Sequence, residues 1–183
     1  MKKDLVSMNS EELGNLFPVF IKEADPAWPQ LFKTEEEKIM KTLGREVILQ
    51  IDHIGSTAIP GMPAKPTIDI LIQVYDYIPD HQLIDSLSSI GYQYIHKPEN
   101  PPPHMMFVTG YTPDGIKGQT YHLHIRYDGP HEEIIFRDYL RSHPDAAREY
   151  TELKYRLAEK YRNDRDGYTE AKTEFIKKII LMQ

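Results

Sequence analysis

The sequence predicts an α+β fold in which a mixed β-sheet is flanked by helices and followed by a helical C-terminal region. Two observations predict it. Two β-branched apolar runs, at 46–54 and 67–75, follow a helical pattern that Gly44 ends, and long helical periodicity begins near His131. The 183 residues fit one domain spanning 1–183, because no Ser/Gly-rich linker divides them.

Apolar patterning and breaker residues define the elements of the first half. Asp25-Pro26 followed by Trp28-Pro29 is typical of a helix start, and Gly44 and Gly91 are typical of helix ends. The predicted elements are a short strand at 19–22, a helix from 28 to about 43, strands at 46–54 and 67–75, and a helix at 79–90.

In the second half, a stiff loop with polyproline character at 97–103 precedes a predicted β-hairpin. Its strands, at 104–109 and 119–127, surround the Pro113-Asp114-Gly115 turn. Three helices then follow, at about 131–142, 144–161 and 168–181.

Composition narrows the classes of function. The chain has no cysteine, which excludes disulfides, thiolate nucleophiles and Cys-ligated zinc sites. Its net charge of −6 argues against generic nucleic-acid binding. Neither a signal peptide nor an apolar run of membrane-spanning length is found, so we expect a cytoplasmic protein without membrane attachment. The oligomeric state stays open.

The loop between the first two long strands predicts an anion site. Gly55-Ser56-Thr57 offers backbone N–H groups and hydroxyls to a phosphate, and Lys65 adds a cation near the loop's end. The spacing is neither that of a Walker loop nor that of a nucleophile elbow. The alternative is a Gly-Ser turn that simply ends a strand.

Asp69 lies in the middle of the strand at 67–75. Alternation places it on one face with Thr67, while Ile68 and Ile70 point to the core. Because strand interiors are depleted in aspartate, Asp69 is predicted to bind a metal or handle a proton. The alternative is a structural cap for loop amides.

Alternation in the later strand places His122, His124 and Arg126 on one face. Imidazoles two residues apart lie roughly 6.5 to 7 Å apart along a strand, a spacing that can chelate one metal or grip one phosphate. The alternative is a pair of hydrogen-bonded histidines on a half-exposed face. We expect His122, His124 and Asp69 to face the same cavity.

The C-terminal helices contribute further basic candidates. Arg137 and Arg141 lie four residues apart, as do the members of two Tyr-x-x-x-Lys pairs ending at Lys154 and Lys172. We expect Arg137, Lys154 and Lys172, with Lys65, to ring the cavity and bind phosphate. The alternative is that they are solvated surface charges.

Taken together, these residues resemble the GrpB family of bacterial proteins over nearly the whole chain. The resemblance is carried by "EADPAWPQLF", "HIGSTAIPGMPAKPTIDILIQV", "YHLHIR", "FRDYLRSHPDAAREYTELKYRLA" and "YTEAKTEFIKKII". It implies a fold similar to that of the nucleotidyltransferases. Gly55-Ser56 and Asp69 match the nucleotidyltransferase pattern, whereas Thr67 and Leu71 stand where a second carboxylate would lie.

The leading functional hypothesis is a nucleotidyl- or phosphoryl-transferase-like site for a nucleotide or another phosphorylated small molecule. Ser56, Thr57 and Lys65 would hold phosphates, Asp69 would bind Mg²⁺ or Mn²⁺, and the two histidines would complete the metal shell or move protons. A single aspartate supplies few anionic ligands for two-metal chemistry. The alternative is therefore a non-catalytic ligand-sensing or partner-binding module.

A third hypothesis treats His122-Leu123-His124-Ile125-Arg126 as a relic of the H-x-H-x-H motif of histidine-triad hydrolases. Arg126 stands at the third histidine position. The two-histidine phosphoesterase pattern is also incomplete, because only one H-x-H occurs. Both patterns fit less well than the first two hypotheses.

Overall fold

The structure, a computed structural model, describes residues 3–96 and 104–182. Within these ranges, five strands form one mixed sheet in the order β1-β2-β5-β4-β3. The strands are β1 (Ile48–Ile54), β2 (Thr67–Val74), β3 (Gln93–Ile95), β4 (Met105–Thr112) and β5 (Gly115–Tyr127). The helices are α1 (Ser10–Leu16), α2 (Trp28–Leu43), α3 (Asp80–Ser89), α4 (Glu132–Ser142), α5 (Pro144–Lys160), α6 (Arg165–Glu170) and α7 (Thr173–Ile180). The predicted α+β class is confirmed.

The main hydrophobic core covers one face of β2. This strand pairs with β1 antiparallel and with β5 parallel. Ile68, Ile70 and Ile72 are fully buried against side chains from α2 and α3, among them Trp28 and Leu83. The opposite face of β2, which carries Asp69, is therefore directed away from this core.

The C-terminal helices pack on the loop between β1 and β2. Phe136 of α4 lies in a second apolar cluster with Ile59 and Met62 of that loop. Arg141 donates from Nε and Nη2 to the carbonyl of Ala58, at 3.1 and 2.8 Å. These contacts fix the segment that follows Gly55.

The strand predicted at 19–22 is wrong. Val19 is buried and donates its amide to the carbonyl of Arg162, whereas Lys22 pairs with Ala64 in an isolated bridge. Neighbouring residues therefore bond to two different parts of the chain, so no continuous ladder forms.

The sequence prediction also missed α1 and β3 and merged α6 with α7. Asn9 and Glu12 form a capping box at the start of α1. The carboxylate of Asp164 accepts from the amide of Gly167 and begins α6 earlier than predicted. The described chain therefore ends in four helices rather than three. The loop predicted at 97–103 lies outside the described residues.

Among the described residues, no helix is both long enough and apolar enough to cross a membrane.

Candidate functional site

The polar face of the sheet can be followed from strand to strand by register. Asp69 on β2 lies opposite His122 on β5, which lies opposite Val108 on β4. His124 is two residues further along β5 and shares this face. Asp69, His122 and His124 line one cavity, as the strand alternation predicts. Their chemical roles stay predictions.

Asp69, His122 and Tyr111 form a chain of polar contacts. Nδ1 of His122 lies 3.3 Å from Oδ1 of Asp69, and Nε2 lies 2.8 Å from the hydroxyl of Tyr111. Burial lowers the pKa of His122 despite the attraction of Asp69. Burial alone would raise the pKa of Asp69, but the hydrogen bond and charge of His122, together with the charges of His124 and Lys65, bring the pKa below its usual value. The pair is therefore an ionised carboxylate and a neutral imidazole that donates from Nδ1 and accepts at Nε2.

Gly55 brings the loop after β1 into contact with this pair. Its φ of 70° lies in the region that favours glycine. A Cβ built at this position would lie 2.5 Å from Oδ2 of Asp69. Both the backbone conformation and the close approach therefore require glycine here.

His124 is the second imidazole on the polar face. Burial lowers the pKa of His124 to about 4, so the ring is neutral near pH 7. It forms no hydrogen bond with a described residue. It lines two cavities, so a ligand in either of them can lie next to this ring.

A cavity of about 740 Å³ opens over the polar face. We call it the basic cavity because, among the described residues that line it, four cationic side chains (Lys65, Lys154, Arg165 and Lys172) outnumber three carboxylates (Asp69, Asp166 and Glu170). Burial, reinforced by the charges of Arg165 and Lys172, lowers the pKa of Lys65 to about 8. Burial also lowers the pKa of Lys172. Neither lysine forms an ion pair with a carboxylate in the described ranges.

The two Tyr-x-x-x-Lys pairs both bring a lysine over the ring of its tyrosine. Nζ of Lys154 lies 5.1 Å from the ring centre of Tyr150, and Nζ of Lys172 lies 4.4 Å from that of Tyr168. Lys154 is only 2% exposed and donates to the carbonyl of Pro63. Burial lowers the pKa of Lys154 to about 7. Although Lys154 lines the basic cavity, its main contact is thus the hydrogen bond that holds the loop between β1 and β2.

The two hydroxyls of the Gly55-Ser56-Thr57 segment have different environments. The Thr57 hydroxyl donates to the carbonyl of Thr67 at 3.2 Å and lies 2.9 Å from Nε2 of His53. It is therefore occupied within the protein. Ser56 also hydrogen-bonds within the protein, to the hydroxyl of Tyr150, but it is half-buried at the cavity wall and stays a predicted phosphate contact.

A second cavity, of about 790 Å³, lies beyond Asp69 and His124. We call it the acidic cavity because Asp128, Glu132 and Glu133 line it. Arg126 also lines it, but its Nη2 is 3.0 Å from Oε1 of Glu133. The positive charge of Arg126 is therefore already compensated, and the structure places it outside the lining of the basic cavity.

The expectation that Arg137 rings the cavity is wrong. This side chain is not among the described residues lining either cavity. It is 8% exposed and donates to Asp52 and Asp138, each at 2.8 Å, and to the carbonyl of His53 at 3.0 Å. Its hydrogen bonds therefore join α4 to β1 and leave it little capacity for a ligand.

Comparison with known proteins decides the family. The family described as "GrpB protein" matches residues 18–181. The chain belongs to the GrpB family. A crystal structure of GrpB from Enterococcus faecalis has a TM-score of 0.75 and 32% sequence identity, and the match covers 89% of this chain and 96% of that one. The GrpB membership inferred from the sequence is thus confirmed.

Two curated relatives show how far the GrpB similarity extends into longer proteins. A UPF0157 protein of Pseudomonas aeruginosa is 43% identical over 159 residues, which cover 86% of this chain and 64% of that protein. A dephospho-CoA kinase of Mycolicibacterium paratuberculosis is 30% identical over 177 residues, which cover 85% of this chain and 43% of that protein. The chain thus spans less than two thirds of either relative.

The donor set of this GrpB chain does not fit the divalent metal that the sequence predicts. Both ring nitrogens of His122 are occupied, by Asp69 and by Tyr111. The adjoining cavity is lined by four cationic side chains and three carboxylates, and no group of three potential His, Asp or Glu ligands occurs in the described residues. These side chains favour an anion over a cation.

The sequence did not predict two site residues of this GrpB chain, Tyr111 and Arg165. Tyr111 follows Gly110, where the pairing of β4 with β5 is irregular, and alternation alone does not predict its direction. Arg165 lies in a segment predicted to be a break between helices. The Asp164 cap identified in the structure is the signal that would have placed it on a helix.

Proposed function

We propose that the protein binds a nucleotide or another phosphate-bearing small molecule in the basic cavity. The observation that carries the proposal is the pair of half-buried lysines, Lys65 and Lys172, which no described carboxylate neutralises. Their pKa values are lowered because their charges are poorly solvated. A phosphate between them would restore the missing interaction through charge-assisted hydrogen bonds.

Each neighbouring group has a part in this proposal. Lys65 and Lys172 contact the phosphate oxygens, and Arg165 adds positive potential at the cavity wall. Ser56, which lines the same cavity, donates its hydroxyl to the phosphate. Neutral His124 hydrogen-bonds a hydroxyl or bridging oxygen of the ligand, since its ring has no partner among the described residues.

The Asp69–His122 pair has a positioning role. Asp69 lines the basic cavity and contacts the imidazole of His122. In this proposal that contact holds the carboxylate away from Lys65. Its charge favours protonation of Lys65 without occupying that ammonium. The pair therefore leaves Lys65 free for the ligand.

The size of the cavity agrees with a ligand of this class. Small-molecule sites occupy roughly 300 to 1,000 Å³, and the basic cavity has a volume of about 740 Å³. The similarity to part of a protein named dephospho-CoA kinase is consistent with a phosphate-bearing ligand. Because this chain covers only 43% of that protein, the kinase activity does not form part of the proposal.

Binding without two-metal transfer is the form that the residues support best. A two-metal displacement needs several carboxylates grouped around the ions, whereas Asp69 is the one carboxylate of β2 beside the basic cavity and no group of three potential His, Asp or Glu ligands occurs in the described residues. We therefore keep ligand binding from the transferase hypothesis and leave out metal-dependent group transfer. This outcome favours the ligand-binding module over the metal-dependent enzyme.

Titration calorimetry tests the proposal. Wild-type protein is titrated with ATP and with inorganic tripolyphosphate, alongside Lys65→Met and Lys172→Met. Each variant should bind about tenfold more weakly, because one charge-assisted contact is lost. Lys117→Met is the matched control, since Lys117 is exposed and lies outside the basic cavity. Absence of binding to both probes, or equal affinities for all four proteins, would overturn the proposal.

A further inference from the structure

A third cavity adjoins the basic cavity at the far end of the sheet. It has a volume of about 490 Å³ and lies between the N-terminal segment and the β3–β4 edge. Leu5, Met8 and Leu13 form one wall, and Ile95 and Val108 form the other. We call this cavity the apolar groove.

The groove continues the polar face that carries the candidate site. Asp69, His122, Val108 and Gln93 follow one another across four strands in register. His124, Met106 and Ile95 form the next row on the same face. Moving from β2 to β3, the face therefore changes from charged to apolar without an intervening element.

The two cavities share part of their lining. Met106, His122, Arg165 and Asp166 border both the basic cavity and the apolar groove. Neighbouring strands lie about 4.8 Å apart, so His122 and Gln93 are separated by about 10 Å across the sheet. A ligand of nucleotide length can therefore reach from one cavity into the other.

Aromatic and planar groups meet at this junction. Phe17 packs edge-on against Tyr111, with ring centres 5.0 Å apart. The guanidinium of Arg165 lies 5.3 Å from the ring centre of Tyr111 and 5.8 Å from that of Phe17. Flat groups of this kind stack on heteroaromatic rings. Gln93 and His96 add polar groups to this largely apolar wall.

We propose that the apolar groove binds the ring of the ligand whose phosphates lie in the basic cavity. The ligand class is then a phosphate ester of a planar heteroaromatic compound, such as a nucleoside phosphate. This inference rests on the proposed function. It goes further by assigning a second subsite and by excluding simple sugar phosphates and inorganic phosphates as the preferred ligands.

Calorimetry with matched probes tests the second subsite. The four common ribonucleoside triphosphates are compared with inorganic tripolyphosphate, which has no ring. At least one nucleotide should bind about tenfold or more tightly than tripolyphosphate, because ring burial adds to phosphate binding. Val108→Trp, which fills the groove, should remove this advantage and leave tripolyphosphate affinity within about twofold.

Ile116→Trp is the matched control, because Ile116 is 50% exposed and lies outside the groove. It should bind both probes like the wild type. Circular dichroism and thermal unfolding establish whether Val108→Trp is folded.

Methionine-methyl NMR on the unsubstituted protein gives a second readout that does not depend on a variant. Met8 lines the groove and not the basic cavity, so its methyl resonance should shift with the nucleotide and not with tripolyphosphate. Met40, which lines neither cavity, is the internal control.

The outcomes separate the two proposals. If neither probe binds, both proposals are overturned. If tripolyphosphate binds but no nucleotide binds more tightly, the basic cavity stands and the second subsite is overturned. An unmoved Met8 resonance at nucleotide saturation would also overturn the second subsite.

Discussion

Gly55 and Asp69 are packed so closely that no side chain fits between them. A Cβ on Gly55 would lie 2.5 Å from Oδ2 and 3.1 Å from Cγ of Asp69. Oδ1 of the same carboxylate faces His122. The turn after β1 therefore sets the position of Asp69 on one side while the imidazole sets it on the other.

Replacing Gly55 with alanine should destabilise the fold and weaken ligand binding. The substitution introduces backbone strain at φ of 70° and also displaces the Asp69 carboxylate. We expect a loss of about 2 to 4 kcal/mol in the free energy of unfolding, measured by urea denaturation.

Gly61→Ala separates the two effects of that substitution. Gly61 has a φ of 72° and no atom within 4 Å of an added Cβ, so only the backbone strain is introduced. Gly61→Ala should lose less unfolding free energy than Gly55→Ala, and its affinity for ATP should equal that of the wild type. Equal losses for the two variants would show that the contact with Asp69 is unimportant.

Ligand affinity should fall as the pH rises. Burial lowers the pKa of Lys65 to about 8, so this lysine is mostly charged at pH 7 and mostly neutral at pH 9. Phosphate binding favours the charged form, and binding above pH 8 must therefore take up a proton. The dissociation constant for ATP should rise by up to about tenfold between pH 8 and 9.

Lys65→Met provides the control for this pH dependence. The variant should bind weakly at every pH and show a smaller change between pH 7 and 9. A dissociation constant of the wild type that is independent of pH would contradict the role of Lys65.

Lys154 should make protein stability depend on pH. The pKa of Lys154 is about 7 in the folded protein, against an ordinary value of 10.5. Between pH 7 and 10.5 this lysine is therefore protonated in the unfolded chain and neutral in the folded chain. Stability should therefore rise with pH in this window. Relative to Lys154→Met, the wild type should gain about 2 to 3 kcal/mol of unfolding free energy between pH 7 and 9.

Lys160→Met is the matched control for Lys154, because Lys160 lies on the same helix and is exposed. It should retain the pH dependence of the wild type. If Lys154→Met has that dependence as well, the buried ammonium is not its source.

Divalent metal should not be needed for ligand binding. The lysines of the basic cavity neutralise phosphate directly, and both nitrogens of His122 are occupied within the protein. The dissociation constants of inorganic tripolyphosphate in EDTA and in excess Mn²⁺ should therefore agree within about threefold, once the metal bound by the probe itself is taken into account. Binding that appears only with metal would restore the metal hypothesis.

Strand periodicity predicted the central part of the site from the sequence. Alternation along β2 and β5 places Asp69, His122 and His124 on one face, and the parallel register brings the first two opposite each other. The core residues of β2 follow from the same pattern. These predictions succeeded because side-chain direction in a regular strand depends only on position.

The remaining site residues depend on long-range packing. The position of Arg137 on its helix predicted a cavity residue. In the structure its guanidinium instead donates hydrogen bonds to Asp52 and Asp138. Tyr111 joins the site through an irregular pairing, and Arg165 through a short helix begun by Asp164. Such contacts join elements that are distant in the sequence. The periodicity within one element therefore does not predict them.

A crystal structure of the protein with bound ATP would locate the phosphates relative to the two lysines. We expect phosphate oxygens within hydrogen-bond distance, about 2.7 to 3.2 Å, of Nζ of both Lys65 and Lys172, with no metal bound to His122. Phosphates located in the acidic cavity or on the outer surface, with both ammonium groups still unoccupied, would contradict this expectation.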